Sequence, residues 1–178
     1  HNGHASDRKA LLLADPGGAD LCVTCHAELM KEIPDGSAHP LFKTGKCLTC
    51  HDPHGSNLSG MTLKEPKGLC LPCHEAGLRE KVKDVRSEHP TFSAGECTKC
   101  HSQHKSKLKK LLLASTPALC LSCHRDLRDK MYMKEKCEKL KAATAAGGDA
   151  GAEKECEAKV YVHAPSALEN CLRCHKPH

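Results

Sequence analysis

HPLFKTGKCLTCHDPHGSNLSGMTLKEPKGLCLPCH, residues 39–74, returns as HPTFSAGECTKCHSQHKSKLKKLLLASTPALCLSCH, residues 89–124. The two stretches are one pattern displaced by 50 positions. It reads His-Pro-x-Phe-x-x-Gly-x-Cys-x-x-Cys-His-x-x-His, then a Leu, then Leu-Cys-x-x-Cys-His. Cys-x-x-Cys-His itself occurs six times, at Cys22/Cys25/His26, Cys47/Cys50/His51, Cys70/Cys73/His74, Cys97/Cys100/His101, Cys120/Cys123/His124 and Cys171/Cys174/His175. This is the attachment motif of c-type haem. Two thiols at this spacing reach the two vinyl groups of one porphyrin, and the adjoining His turns under the ring to ligate iron. Paired Cys-x-x-Cys also builds zinc ribbons, but a zinc ribbon has no use for a His after every second Cys. Six covalently attached haems are therefore expected.

Working outward from the two clean copies, a third is stretched. His163 precedes Cys171 by the same interval as His39 precedes Cys47 and His89 precedes Cys97, and His178 follows His175 as His54 follows His51. The N-terminus keeps the same frame: His1-x-x-His4 lies one repeat before His51-x-x-His54, and Leu13 one repeat before Leu63, although no Cys pair precedes His1. The third copy is stretched by an insertion over residues 129–159, rich in Ala, Lys and Glu around Gly147-Gly148. It reads as a helical hairpin. It holds Cys137 and Cys156, the cysteines outside haem motifs, for which a disulfide is expected in an oxidising compartment.

Composition sets the fold class. Leu, Ile, Val and Phe together make up 30 of the 178 residues, and there is no Trp. That lies below the roughly 20% that usually supports a packed globular core, and without cofactors the chain would read as mostly disordered. The expected fold has few regular elements: short helices at the CxxCH motifs, coil wrapped around a haem stack, and the hairpin insertion. It is read as a single elongated domain, 1–178, built of three two-haem repeats at about 1–54, 55–104 and 105–178.

The formal charge of +5 is offset by two propionates per haem. Lys-rich stretches such as Lys105–Lys110 therefore read as propionate partners or solvated faces. Nucleic-acid binding is not expected, because stacking aromatics are absent. No apolar run approaches the roughly 18 residues of a membrane span. The sequence opens at His1 without a basic or apolar leader and is read as the mature chain of an exported protein, periplasmic or extracellular, its signal peptide removed.

Fourteen histidines less the six in motifs leave His1, His4, His39, His54, His89, His104, His163 and His178 as candidates for the second axial position. Reach along the chain assigns His39, His89 and His163 to the haems at Cys47, Cys97 and Cys171, because twelve residues suffice to round the haem edge. The same argument assigns His54 and His104 to the next haems along, at Cys70 and Cys120. For the haem at Cys22/Cys25 the frame nominates His4, with His1 second. His178 is left to serve a haem outside its own chain. Met131 and Met133 read as packing or solvated residues.

The unit Cys-x-x-Cys-His-x-x-His…Leu-Cys-x-x-Cys-His resembles that of doubled-CxxCH multihaem cytochromes of periplasmic and extracellular electron transfer. Its offsets resemble those of the low-potential tetrahaem cytochromes of sulfate reducers, where a His shortly after one motif serves the next haem. Within that group, polymeric cytochrome filaments use a histidine of one subunit for a haem of its neighbour. The resemblance implies electron transfer through closely spaced bis-His haems, in a filament subunit or a discrete carrier. The implied partners are redox proteins or extracellular acceptors, with a head-to-tail homopolymer as one form of assembly. A multihaem reductase is the rival reading, but it needs an open iron position, and the histidines are enough to fill every one. The chain is not expected to be an enzyme.

Overall fold

The computed structural model describes residues 1–85, 87–127, 129, 137–139, 142 and 171. The described residues form short helices, one two-stranded sheet and much coil, the architecture expected from a sequence with so little apolar material. The backbone gathers into two compact units, His1–Leu113 and Ala114–Lys176. The insertion expected at 129–159 falls almost wholly outside the described residues, as do His163, Cys174, His175 and His178.

Within the first unit a loop of identical construction is built three times. It opens at His1, His51 and His101. Asn2, Asp52 and Ser102 donate backbone N–H to the carbonyls of Leu11, Met61 and Leu111 at 2.6, 2.9 and 2.7 Å. Ser6 and Ser56 donate Oγ–H to the carbonyls of Leu12 and Thr62 at 2.7 and 2.6 Å, and Ser106 does the same to Leu112. The same seryl oxygens accept from the N–H of Arg8, Leu58 and Leu108. Each loop closes through a 3-10 turn, at Lys9–Leu11, Ser59–Met61 and Lys109–Leu111. In each turn two successive residues have positive φ: Ala10 and Leu11, Gly60 and Met61, Lys110 and Leu111. Five of these six side chains bear a Cβ, which costs roughly 1–2 kcal/mol per residue in that region.

The helices follow the motifs. Helix α1 spans Asp20–Met30 and carries Cys22 and Cys25. Strand β1 is Ser37–Ala38, and helix α2 is Pro40–Lys43. Helix α3 runs Pro66–Val82 and carries Cys70, Cys73 and His74. Helix α4 is Pro90–Ser93, strand β2 is Lys105–Ser106, and helix α5 is Thr116–Cys123. Proline stands at the start of α2, α3 and α4 and near the start of α5, where its fixed φ suits a first turn and its missing N–H costs nothing. Past His74, α3 is extended by exposed pairs of Glu75 with Arg79 and Glu80 with Lys83. The second motif of each repeat thus sits on an α-helix. The first sits on a 3-10 turn, Cys47–Thr49 or Cys97–Lys99.

Strands β1 and β2 pair antiparallel, Ser37 opposite Ser106 and Ala38 opposite Lys105. The pairing continues as His39 N–H donates to the His104 carbonyl at 2.8 Å. Ser37 Oγ–H donates to the Leu108 carbonyl at 2.6 Å, and Lys105 Nζ reaches the carbonyls of Glu28 and Lys31 at 3.2 and 2.7 Å. These contacts fold the middle of the second clean copy back onto the start of the first.

Among the described residues, one large apolar side chain is buried, Leu121 at 9% exposure. The other buried positions are Gly45 and Gly95. Leu13, Leu63 and Leu113, one repeat apart, are 59, 48 and 54% exposed. Apolar side chains recurring at one repeat position without protein cover leave the core to be supplied by something other than polypeptide.

Candidate haem sites

The motif cysteines come together in chain order. Cys22 on α1 neighbours Cys47, Cys70 on α3 neighbours Cys97, and Cys50 neighbours Cys73, each pair near enough to influence titration. In the unattached chain burial raises the Cys22 thiol above its ordinary pKa, with Cys47 adding to the rise. Burial likewise pushes Cys70 up to about 11, with further contributions from Cys97 and Cys50. Cys50 is raised by burial and by Cys73. The first four motifs therefore neighbour one another in chain order through their cysteines.

Cys50 and Cys100, the second cysteines of the two turn-borne motifs, are held by the backbone in the same way. Both are half-buried, and each caps its 3-10 turn. The Cys50 N–H donates to the Cys47 carbonyl at 3.1 Å, and the Cys100 N–H to the Cys97 carbonyl at 3.2 Å. Their own carbonyls accept from Leu63 and Leu113 at 2.9 and 3.0 Å. Short helices were expected at every CxxCH motif. At Cys97/Cys100, as at Cys47/Cys50, the helix is a single 3-10 turn, because Leu113 and Leu63 claim the carbonyl that a longer α-helix would need for its next N–H.

Glycine makes the approach of successive motifs possible. Gly45 has φ +71, and a Cβ there would lie 2.6 Å from Ala19 N, at the start of α1. Gly95, its repeat equivalent, has φ +77 and would lie 2.6 Å from Lys67 Cβ, at the start of α3. Only glycine adopts this backbone without steric cost, and only glycine lets each helix start lie against the following motif.

The histidines are oriented by the loops. His51 Nδ1 bonds the Gly60 carbonyl at 2.8 Å, and His101 Nδ1 the Lys110 carbonyl at 2.8 Å. A carbonyl only accepts, so Nδ1 carries the proton and Nε2 presents its lone pair, the arrangement that fixes a metal-binding imidazole. The two positive-φ residues in each turn aim that carbonyl. His1 has the same bond, Nδ1 to the Ala10 carbonyl at 2.7 Å.

Three pairs of histidine rings lie close together, two near-parallel and one edge-on. His39 and His74 have centroids 6.1 Å apart with planes at 68°. His51 and His104 are at 5.8 Å and 23°, and His1 and His54 at 6.1 Å and 27°. A histidine nitrogen binds a metal ion at about 2 Å, and the ring centre lies roughly 1 Å behind it, so imidazoles trans across one iron have centres roughly 6 Å apart. The residues present fit a bis-imidazole haem iron. Phe42 braces His104, ring centres 5.1 Å apart. Burial and the neighbouring His74 lower the pKa of His39, and burial with His51, His39 and Lys105 lowers that of His104. Both are kept neutral, as iron ligation requires.

These ring pairs differ from the pairs expected from chain reach. His39 stands opposite His74, in the Cys70/Cys73 motif, not opposite His51. His104 stands opposite His51, in the Cys47/Cys50 motif, although reach assigned it forward to the haem at Cys120. His54 is set against His1. The physical reason for the His104 position is the β1–β2 pairing, which brings His104 back beside the first copy. His4 forms no ring pair with His26 among the described residues; its N–H donates to Asn2 Oδ1 at 3.1 Å. His89 starts α4 as His39 starts α2, with its Nδ1 2.7 Å from Thr91 Oγ1. His124 caps the end of α5, and His26 leaves helical geometry within α1 at φ −108 and ψ 33. Cys120 and Cys123 lie on α5, and Cys171 is partly exposed.

Sequence reading passed over the carbonyls of Gly60 and Lys110. A backbone acceptor has no residue-type signature, and the signal that finds it is the fixed nine-residue interval from His51 and from His101. Cys137 is disulfide-bonded, and the Cys156 expected as its partner lies outside the described residues.

No helix among the described residues is long and apolar enough to cross a membrane. No curated protein matches the chain. The family model for the doubled CXXCH motif matches three times, over residues 1–31, 39–78 and 89–129. Those segments cover most of the sequence and coincide with the three loop-and-helix copies, so the chain belongs to the doubled CXXCH family and is a multihaem cytochrome with covalently bound c-type haem, whose chemistry is electron transfer.

Proposed function

We propose that the chain carries six bis-histidine haems, one on each motif, and conducts electrons along them in sequence order. The observation that carries this reading is the run of neighbouring cysteines from successive motifs, Cys22 with Cys47, Cys50 with Cys73 and Cys70 with Cys97. Thioethers formed on neighbouring sulfurs hold consecutive porphyrin edges together. When bound, the haems supply one-electron chemistry. The chain's own histidines would hold the irons in pairs, burial disfavours the protonated form of His39 and His104, and two imidazoles per iron would leave no position for a substrate. The role is that of a conduit, not an enzyme. Two nitrogen ligands without a Met place the potentials low. Haem is attached to c-type chains outside the cytoplasmic membrane, so the conduit works in the periplasm or beyond the cell.

Interlocked ligation extends the reading to a head-to-tail filament. His104 already serves the motif of the preceding copy, and the same exchange made between chains, with His178 as the crossing ligand, would join subunits by heterologous contacts that do not close. The intact mass of the holoprotein tests the haem number: it should exceed the polypeptide by six haems. Low-spin signals from all of them support the conduit. Stoichiometric CO binding to the reduced native protein would reveal an open iron and overturn it. Electron microscopy in native buffer distinguishes a filament from a discrete carrier of redox partners.

A further inference from the structure

We propose that His1 and His54 are the two axial ligands of a further haem, beyond those of the six motifs, with His1 in the proximal role. The inference rests on the reading that facing histidine pairs in this chain bracket haem iron. It concerns a position for which the 178 residues contain no Cys-x-x-Cys.

Three observations place His1 in that role. The first is its loop. His1 Nδ1 bonds the Ala10 carbonyl at 2.7 Å, as His51 bonds Gly60 and His101 bonds Lys110, both at 2.8 Å. The backbone bond from Asn2 to Leu11 and the Ser6 clasp repeat those of the other two copies. The protonated nitrogen is thus committed to the carbonyl, and Nε2 is left with its lone pair facing outward. The second is the opposing ring. His54 faces His1 at 6.1 Å and 27°, while His104 faces His51 at 5.8 Å and 23°. In both cases the partner is the His three residues past the next proximal position. The two pairs are one arrangement displaced by a repeat, and one of them belongs to a motif with its cysteines in place. The third is the family match over residues 1–31, which reports a doubled motif where the segment holds one complete Cys-x-x-Cys-His.

The ligand is an iron porphyrin. A bare divalent ion fits poorly, because two imidazoles supply only two of the four ligands such an ion usually takes from protein, and no cluster of three or more metal-binding side chains occurs among the described residues. A porphyrin brings its own four nitrogens and needs only the two imidazoles. In any longer form of the chain, cysteines at the fourth and first positions before His1 would complete Cys-x-x-Cys-His and make the attachment covalent.

The test is a titration of the six-haem holoprotein with hemin, followed by gel filtration. Haem without thioethers is extracted by acidified butanone and covalent haem is not, so the added haem is counted separately. One extractable, low-spin haem per chain is expected. His1→Ala or His54→Ala should weaken its uptake at least tenfold and turn what remains high-spin. Free imidazole should restore the low-spin signal in His1→Ala. The proposal is overturned by absence of saturable uptake, by uptake in both variants equal to that of the unsubstituted protein, or by failure of imidazole to rescue a variant whose covalent haems remain low-spin. The covalent haems report independently on the conduit reading, which survives the loss of this one.

Discussion

His51 and His104 face each other at 5.8 Å, their planes 23° apart, although each stands in a different copy of the repeat. The relationship is set by backbone pairing elsewhere. Ala38 is paired with Lys105, and the His39 N–H donates to the His104 carbonyl. Both contacts are backbone pairings beside the two imidazoles.

This arrangement predicts where a ligand deletion is felt. His104→Ala should produce one high-spin haem, and it should be the haem at Cys47/Cys50. Removing that haem as well, with Cys47→Ala and Cys50→Ala, should abolish the high-spin EPR signal. Removing the haem at Cys120/Cys123 instead should leave it. By the same logic His39→Ala should open the haem at Cys70/Cys73. The reverse pattern would restore the assignment by chain reach.

The turn that aims the Gly60 carbonyl at His51 offers a clean measure of backbone strain. Gly60 has φ +70, and nothing lies within 4 Å of a Cβ added there. Gly60→Ala should therefore cost about 1 kcal/mol from conformation alone, visible as a lowered thermal midpoint with the spectrum unchanged. Gly45→Ala adds a clash with Ala19 N at 2.6 Å and should cost a further 1–3 kcal/mol or so. It should also disturb the spacing between the first two haems. Equal effects at the two sites would contradict the close-approach argument.

Acid should loosen the distal ligands. Burial and neighbouring charges lower the pKa of His39 and His104. Below the ordinary histidine value of about 6.5 the unfolded chain then binds more protons than the folded one. Stability falls as pH drops through that value, and the loss levels off below the folded pKa values. The low-spin absorbance should be constant on the alkaline side of neutrality and give way to high-spin bands only on acidification. A transition on the alkaline side would point to other groups.

Peptide mapping without reduction should find Cys137 joined to Cys156. Cys137 is disulfide-bonded, and closing that loop constrains the unfolded chain by about 3 kcal/mol on the chain-entropy model. The bond should be dispensable for haem attachment, since the two clean repeats are complete without the inserted segment. Loss of haem from a variant lacking residues 129–159 would contradict that independence.

The motif cysteines and their adjoining histidines were legible because covalent chemistry fixes their spacing locally. Short helices were expected at the CxxCH motifs, whereas those begun by Pro40 and Pro90 lie ahead of a motif and were not anticipated. The poverty of apolar residues anticipated a structure in which Leu121 alone among large apolar side chains is buried in the described residues. The pairing of distal histidines was not legible. Chain reach limits what a histidine can touch but does not choose among the possibilities, and the choice was made by Ser37 and Ala38 meeting Ser106 and Lys105 from far along the sequence. The role of the loop carbonyls was hidden for a different reason. Ala10, Gly60 and Lys110 share a backbone conformation and no side-chain chemistry.

The borrowing of His104 by the preceding copy has an evolutionary corollary. A whole copy can be duplicated or lost inside such an array, and every interior iron still finds two imidazoles, because each copy lends one backward and receives one from ahead. A partial deletion strips a ligand from a haem it never touched in sequence. Changes in length are thus tolerated in steps of one full copy, and unequal recombination between near-identical segments such as 39–74 and 89–124 makes steps of that size. The conductor can lengthen by genetic accident without any site having to be invented.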